Sequence, residues 1–174
     1  EGDPHIWMDP LRAKTMVQNI CDGLSALDSE HAERYQTNAS DAQEHLDDLY
    51  NTWADIFHEL ENPNLITFHD GFAYLADTFD LNILCSIEEE EGSEASAKEI
   101  AEITQLIAEY HLPAIFTEEN GSDASAQAIS RETGVKVYSL SLVMSGDESG
   151  IYPYLSALDR DMAAIMEALE VTVE

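Results

Sequence analysis

The chain has 174 residues, 44% of them hydrophobic, which suffices for one domain with a real core and argues against a chain that stays unfolded. Against 36 Asp and Glu stand 7 Lys and Arg, a formal net charge of −29. A field of that sign repels phosphate backbones and anionic lipid, so nucleic acid and acidic membrane surfaces are excluded as partners and a cation is favoured.

No apolar run approaches the ~20 residues that span a bilayer. The acidic opening Glu1-Gly2-Asp3-Pro4 does not read as a signal peptide. Cys21 and Cys85 read as buried free thiols.

Asp9 and Pro10 make a helix start, a cap followed by a first-turn proline. Met16, Val17, Ile20, Cys21, Leu24 and Leu27 then recur at helical spacing and predict a first helix to 27. Asp28, Ser29 and Glu30 restart the chain. A second, long helix is predicted to about residue 60, with Ala39, Leu46, Leu49, Trp53 and Phe57 on one side and acidic residues on the other. His31, His45 and His58 lie in it and read as solvated surface residues without partners. Glu61-Asn62-Pro63-Asn64 ends the helix.

Short apolar runs then alternate with helices. Strands are predicted at 65–68, 81–87, 114–117 and 135–140. Between and after them come helices at 71–79, at 96–110 behind a Ser96–Glu99 capping box, at 122–133 closed by Gly134, and at 152–169. A polar loop at 146–150 precedes the last helix. Such alternation means right-handed crossovers, so the predicted fold class is α/β: a four-stranded parallel sheet flanked by helices and preceded by a long connector helix.

Parallel sheets bind ligands beyond the carboxyl ends of their strands. That rule singles out His69 and Asp70, the run 88–91, Glu118 and Glu119, and residues 141–145. Imidazole is the commonest side-chain ligand of zinc and suits manganese or iron, so His69 is the first candidate, with a capping or core histidine as the alternative. Asp70 would cap the next helix or orient His69. His5 lies in the segment 3–10, Asp-Pro-His-Ile-Trp-Met-Asp-Pro, where two prolines make a rigid support for a ligand. Glu118 and Glu119 offer hard oxygen to a metal, or form an acidic helix entry. The run 88–91 reads as a solvated acidic loop. No Gly-x-Ser-x-Gly elbow, Gly-x-Gly-x-x-Gly, Walker motif or His-Glu-x-x-His helix is present, so nucleophilic catalysis and phosphate binding lack support.

Five motifs in order resemble those of the zinc/manganese solute-binding proteins of ABC transporters, the cluster A-I metal-binding lipoprotein family. Segment 3–10 is similar to their Asp-Pro-His-hydrophobic-Trp, and 69–74, His-Asp-Gly-Phe-Ala-Tyr, to their His-Asp-Ala-Phe-x-Tyr. Glu90-Glu91-Gly92-Ser93 and the helix to Tyr110 resemble their acidic loop and helix. Ile115-Phe116-Thr117-Glu118 resembles their strand ending in glutamate, and Glu132-Thr133-Gly134 their Glu-Thr-Gly. The resemblance runs from Asp3 to about Leu169.

It implies one lobe of a two-lobed binding protein. In this division 1–27 is a lobe-linking segment with the first helix, 28–62 the long connector helix, and 63–174 the carboxy-terminal lobe. It also implies metal ligation by His5 and His69, with one further histidine supplied from an amino-terminal lobe. Many members place an aspartate after the last strand of the site, where this chain has Ser141 and Met144, so Glu118, Glu119, Asp147 or water are candidates for that position. The expected function is extracytoplasmic capture of zinc, or alternatively manganese, in the periplasm or as a cell-surface lipoprotein. The metal would be delivered to a membrane permease, without catalysis. The alternatives are a metal-assisted hydrolase using His69 and Glu118, or a surface adhesin.

Overall fold

The structure, a computed structural model, describes residues 2–88, 95–145 and 150–170. After a 3-10 turn at Ile6–Met8, helix α1 spans Pro10–Leu27, a second 3-10 turn spans Ser29–His31, and helix α2 spans Ala32–His58. The alternating part follows as β1 (Asn64–His69), α3 (Ala73–Thr78), β2 (Asn82–Glu88), α4 (Ala97–Tyr110), β3 (Ala114–Glu118), α5 (Ala124–Thr133), β4 (Lys136–Leu140) and α6 (Tyr152–Glu170).

Local chemistry accounts for the element ends. Asp9 is almost fully buried; its carboxylate accepts the Leu11 N–H at 2.7 Å and receives Arg12 Nη1 at 2.6 Å. With Pro10 at the first helical position, α1 therefore starts where one orphan amide is met and another is missing by nature. Ser96 and Glu99 form the expected reciprocal capping box at the start of α4. Gly134 closes α5 at φ +81°, a left-handed conformation that glycine adopts without a Cβ penalty.

The strands are all parallel, in the order β2-β1-β3-β4. The chain moves outward from β1 to β2, then returns across β1 to place β3 on its other side. The direction of winding thus reverses between β1 and β3. Thr67 of β1 stands opposite Phe116 of β3, so the carboxyl ends of these two strands, His69 and Glu118, lie side by side.

Strand residues alternate between two cores. Leu65, Ala114 and Phe116 point into a layer with Met8, α2, α3 and α6, while Ile66, Phe68 and Ile115 point into a second layer with α4 and α5. Sheets covered on both faces read as continuous apolar runs, as β1 and β3 do. Cys21 is buried and Cys85 half-buried, both as free thiols, and burial pushes the Cys85 thiol up. No helix among the described residues is long and apolar enough to cross a membrane.

The helical stripe of α1 is not covered along its length. Ala13 and Cys21 are buried, but Ile20, Leu24 and Leu27 are 59%, 42% and 89% exposed. Packing against α2 covers only part of the predicted stripe.

Phe116 is fully buried in the middle of the sheet, with its ring tilted against Tyr138. Phe116→Ala is expected to destabilise the protein by about 3–5 kcal/mol, the range for truncating a buried aromatic. Urea unfolding at constant m-value checks it.

Candidate metal centre

The two candidate histidines meet although they are 64 positions apart. His5 Nε2 and His69 Nε2 face each other at 3.5 Å, with ring centroids 5.3 Å apart and planes nearly perpendicular. Each ring has a carboxylate on its other nitrogen. Asp3 Oδ1 lies 2.7 Å from His5 Nδ1 and also accepts the His5 backbone N–H at 2.9 Å. Glu118 Oε2 lies 3.5 Å from His69 Nδ1, in ion-pair range. With their ring protons on Nδ1, toward Asp3 and Glu118, both Nε2 lone pairs would face one spot that a cation could occupy.

Each arm of the pair is braced. Pro4 and the 3-10 turn fix the backbone around His5. Trp7 packs edge-on against the His5 ring at 5.4 Å between centroids, and its indole N–H donates to the Leu142 carbonyl at 2.9 Å. The Tyr74 hydroxyl donates to the Asp3 carbonyl, and the Arg12 guanidinium lies over the Tyr74 ring while pairing with Asp9 and Asp77. His69 is the last residue of β1, with its ring beside the side chain of Leu142. A Cβ on Gly71 would lie 2.8 Å from His69 Cδ2 and 2.5 Å from Leu142 Cδ2, so all three crowd one spot.

The pair opens into a cavity of about 940 Å³ that Glu118, Glu119, Met144, Tyr152 and Arg160 also line. All four residues proposed from sequence as metal ligands, His5, His69, Glu118 and Glu119, therefore share one cavity. They are not equivalent in it. Glu118 approaches the Nδ1 side of His69, away from the facing Nε2 atoms. Glu119 turns its amide back to the Leu140 carbonyl at 2.7 Å. Among the described residues no group of three or more His, Cys, Asp or Glu converges as a metal cluster, so convergence stops at the two imidazoles.

Asp70 is exposed and has no hydrogen bond among the described residues, so neither capping nor orienting is seen for it. Residues 89–94 and Asp147 lie outside the described residues; they include the Glu90-Glu91-Gly92-Ser93 motif and most of the acidic run. His31, in the 3-10 turn before α2, and His45 and His58 of α2 do have partners. His31 contacts Asp28, His58 lies 3.7 Å from Asp80, and His45 lies against Tyr152 at the cavity wall with Nε2 3.1 Å from the hydroxyl. A partner from α6 brought there by folding carries no signal in the α2 pattern.

Two contributing residues were not singled out by the sequence. The signal for Asp3 is the Asp-Pro-His triplet, which puts a carboxylate two residues before a histidine across a rigid proline. The other is Asp161. It sits on α6 at the spacing of Leu158, Met162 and Ile165, an acid on an apolar stripe, and is 4% exposed. One carboxylate oxygen accepts the Ser141 N–H at 2.8 Å, and the other is buried without a partner among the described residues. Burial first, and the negative charge of Glu119 second, push its pKa up to about 7.

Comparison with known proteins follows the same lines. The family model described as "Zinc-uptake complex component A periplasmic" matches residues 1–168. The zinc-binding protein AdcA of Streptococcus pyogenes serotype M6 is 34% identical over 139 residues, 80% of this chain and 27% of that protein. The Zn(II)-bound ZnuA-like domain of Streptococcus pneumoniae AdcA superposes with a TM-score of 0.81 at 30% identity, covering 97% of this chain and 64% of that one. The laminin-binding protein Lmb of Streptococcus agalactiae, described as bifunctional with adhesin and metal transporting activity, superposes at 0.84 with 30% identity, covering 96% and 65%. The chain thus spans about a quarter of that curated relative and under two thirds of the solved chains.

The raised pKa of Asp161 fixes a sign for stability. The folded state holds this proton more tightly than the unfolded chain, whose carboxyl titrates near 3.8. The associated stability is therefore fully present below about pH 4 and is lost as pH rises through about 7. Asp161→Asn is expected to remove that component, so that the variant exceeds the parent in urea midpoint at pH 8 and the gap closes towards pH 4. Urea unfolding of both proteins across pH 4–8 measures it.

Proposed function

We propose, for a chain that belongs to the zinc-uptake complex component A family, that it captures a transition-metal ion outside the cytoplasm, zinc before manganese, and presents it to the permease of an ABC importer. The observation that carries the reading is the facing Nε2 pair at 3.5 Å. Two nitrogens on a tetrahedral zinc with bonds of about 2.0–2.1 Å stand about 3.3–3.4 Å apart. Octahedral coordination at a similar bond length brings neighbouring ligands to about 3.0 Å. The separation favours the tetrahedral ion, and two imidazoles favour zinc over oxygen-seeking manganese.

In this reading His5 and His69 donate through Nε2, while Asp3 and Glu118 fix the ring protons and orientations. Such outer carboxylates raise ligand basicity and account for a large part of affinity. Glu118 is thereby assigned to orientation rather than direct ligation, and Glu119 adds negative potential at the cavity wall. The remaining coordination positions fall to water or to donors beyond the described residues. Held by two neutral nitrogens, the ion would remain exchangeable, which suits cargo meant for delivery and not a bound catalyst. The zinc-binding description of the S. pyogenes relative and the metal transporting activity of the S. agalactiae protein support the same role, and a "periplasmic" family name supports the compartment. We further assign 28–62 as a connector between the linking segment 1–27 and the α/β lobe 63–174.

Calorimetric titration with Zn²⁺ tests the reading. His5→Ala and His69→Ala are each expected to abolish most binding, and Asp3→Ala to weaken it about 10- to 100-fold by freeing the His5 ring. His45→Ala, which touches only the cavity wall, is expected to bind within about twofold of the parent, a difference of roughly 0.4 kcal/mol. Equal losses for His45→Ala and His69→Ala would overturn the assignment.

A further inference from the structure

The turn at 141–143 touches the supports of both histidines. The Leu142 carbonyl receives the indole N–H of Trp7, whose ring packs on His5. The Leu142 side chain lies beside the His69 ring over Gly71. Ser141 Oγ accepts the Val143 N–H at 3.1 Å, and Val143 stands at φ +51°, a left-handed conformation that β-branched residues rarely adopt. A turn in that state keeps its shape only while its attachments hold it. One of those attachments is Asp161, through the Ser141 N–H.

We propose that Asp161 is a positioning residue for the His5–His69 pair, acting through the 141–143 turn, and that gain or loss of its proton loosens or tightens metal capture. This rests on the metal-capture reading above. Ionised, Asp161 gives Ser141 a charge-assisted hydrogen bond; protonated, it gives a weaker neutral one and adds a hydroxyl that faces no acceptor among the described residues. The charged groups that act on it are Glu119, beyond the end of β3, and Arg160, its neighbour on α6. Just beyond β4 it meets the Ser141 backbone, and the side-chain hydrogen bonds from α2 to α6 lie elsewhere, at Trp53 with Asp159 and at His45 with Tyr152. Burial and Glu119 together place the change of charge near neutrality. A group whose burial makes its charged form unfavourable, yet whose charged form braces the site, opposes stability to capture.

That opposition is the test. Zinc affinity of the 174-residue chain and of Asp161→Asn is measured by competition titration from pH 6 to 8.5, with urea unfolding alongside. At pH 8 the variant is expected to bind zinc about fivefold more weakly, equivalent to about 1 kcal/mol, while unfolding at higher urea. Near pH 6 the two affinities converge. Proton competition for the imidazoles is common to both proteins and cancels in the comparison. A merely structural role would move affinity and stability in the same direction. Affinity curves that overlay throughout, or differ by one constant factor at every pH, overturn the proposal. The His69→Ala variant separates the two readings: if it still binds zinc like the parent, metal capture at this pair fails. If it loses zinc while Asp161→Asn overlays the parent, only the role of Asp161 fails.

Discussion

Two imidazoles from distant parts of the chain meet Nε2 to Nε2 across 3.5 Å, and the surrounding structure holds them there. Each ring would break that contact by turning. Asp3 and Glu118 oppose that rotation from the Nδ1 side, and Trp7 and Leu142 oppose it from the faces. The contact is local and the fold that sustains it is large, with two apolar layers packed on a continuous parallel sheet. Side chains held by such a frame keep their positions without a ligand to organise them.

Sheet topology explains why the pair forms where it does. At the β1/β3 reversal the connections leave in opposite directions, and the carboxyl ends of two adjacent strands are left open. One strand end contributes His69 and the other Glu118. The incoming 3–10 segment brings His5 from outside the sheet, held down by Tyr74 and Arg12 from one side and by Tyr154, whose hydroxyl donates to the Trp7 carbonyl, from the other. Burial raises the Tyr154 phenol and keeps it a donor.

What could be read from the sequence was whatever is encoded locally. The apolar run ending in His69, the capping box at Ser96, Gly134 at a helix end and Asp9 ahead of Pro10 each carry their physics within a few residues. The four-stranded parallel sheet followed from alternation alone. The approach of Glu118 to the Nδ1 side of His69 did not, because it depends on strand order and on the Thr67–Phe116 register, neither of which periodicity encodes. Asp161 was visible as an acid on an apolar stripe, but its meaning came only from the backbone amide of Ser141, brought to it from 20 positions away. His45 likewise gained its tyrosine from another helix 107 positions on.

The uncovered apolar ridge of α1 sits on a molecule carrying a formal charge of −29. Greasy ridges make proteins adhere to one another, and strong like charge keeps the copies from approaching closely enough to do so. The reach of that repulsion is about 8 Å in physiological salt and shrinks to about 3 Å at 1 M. Salt therefore weakens the repulsion that opposes contact between copies at the ridges of α1, while the packing buried in the sheet lies outside its reach.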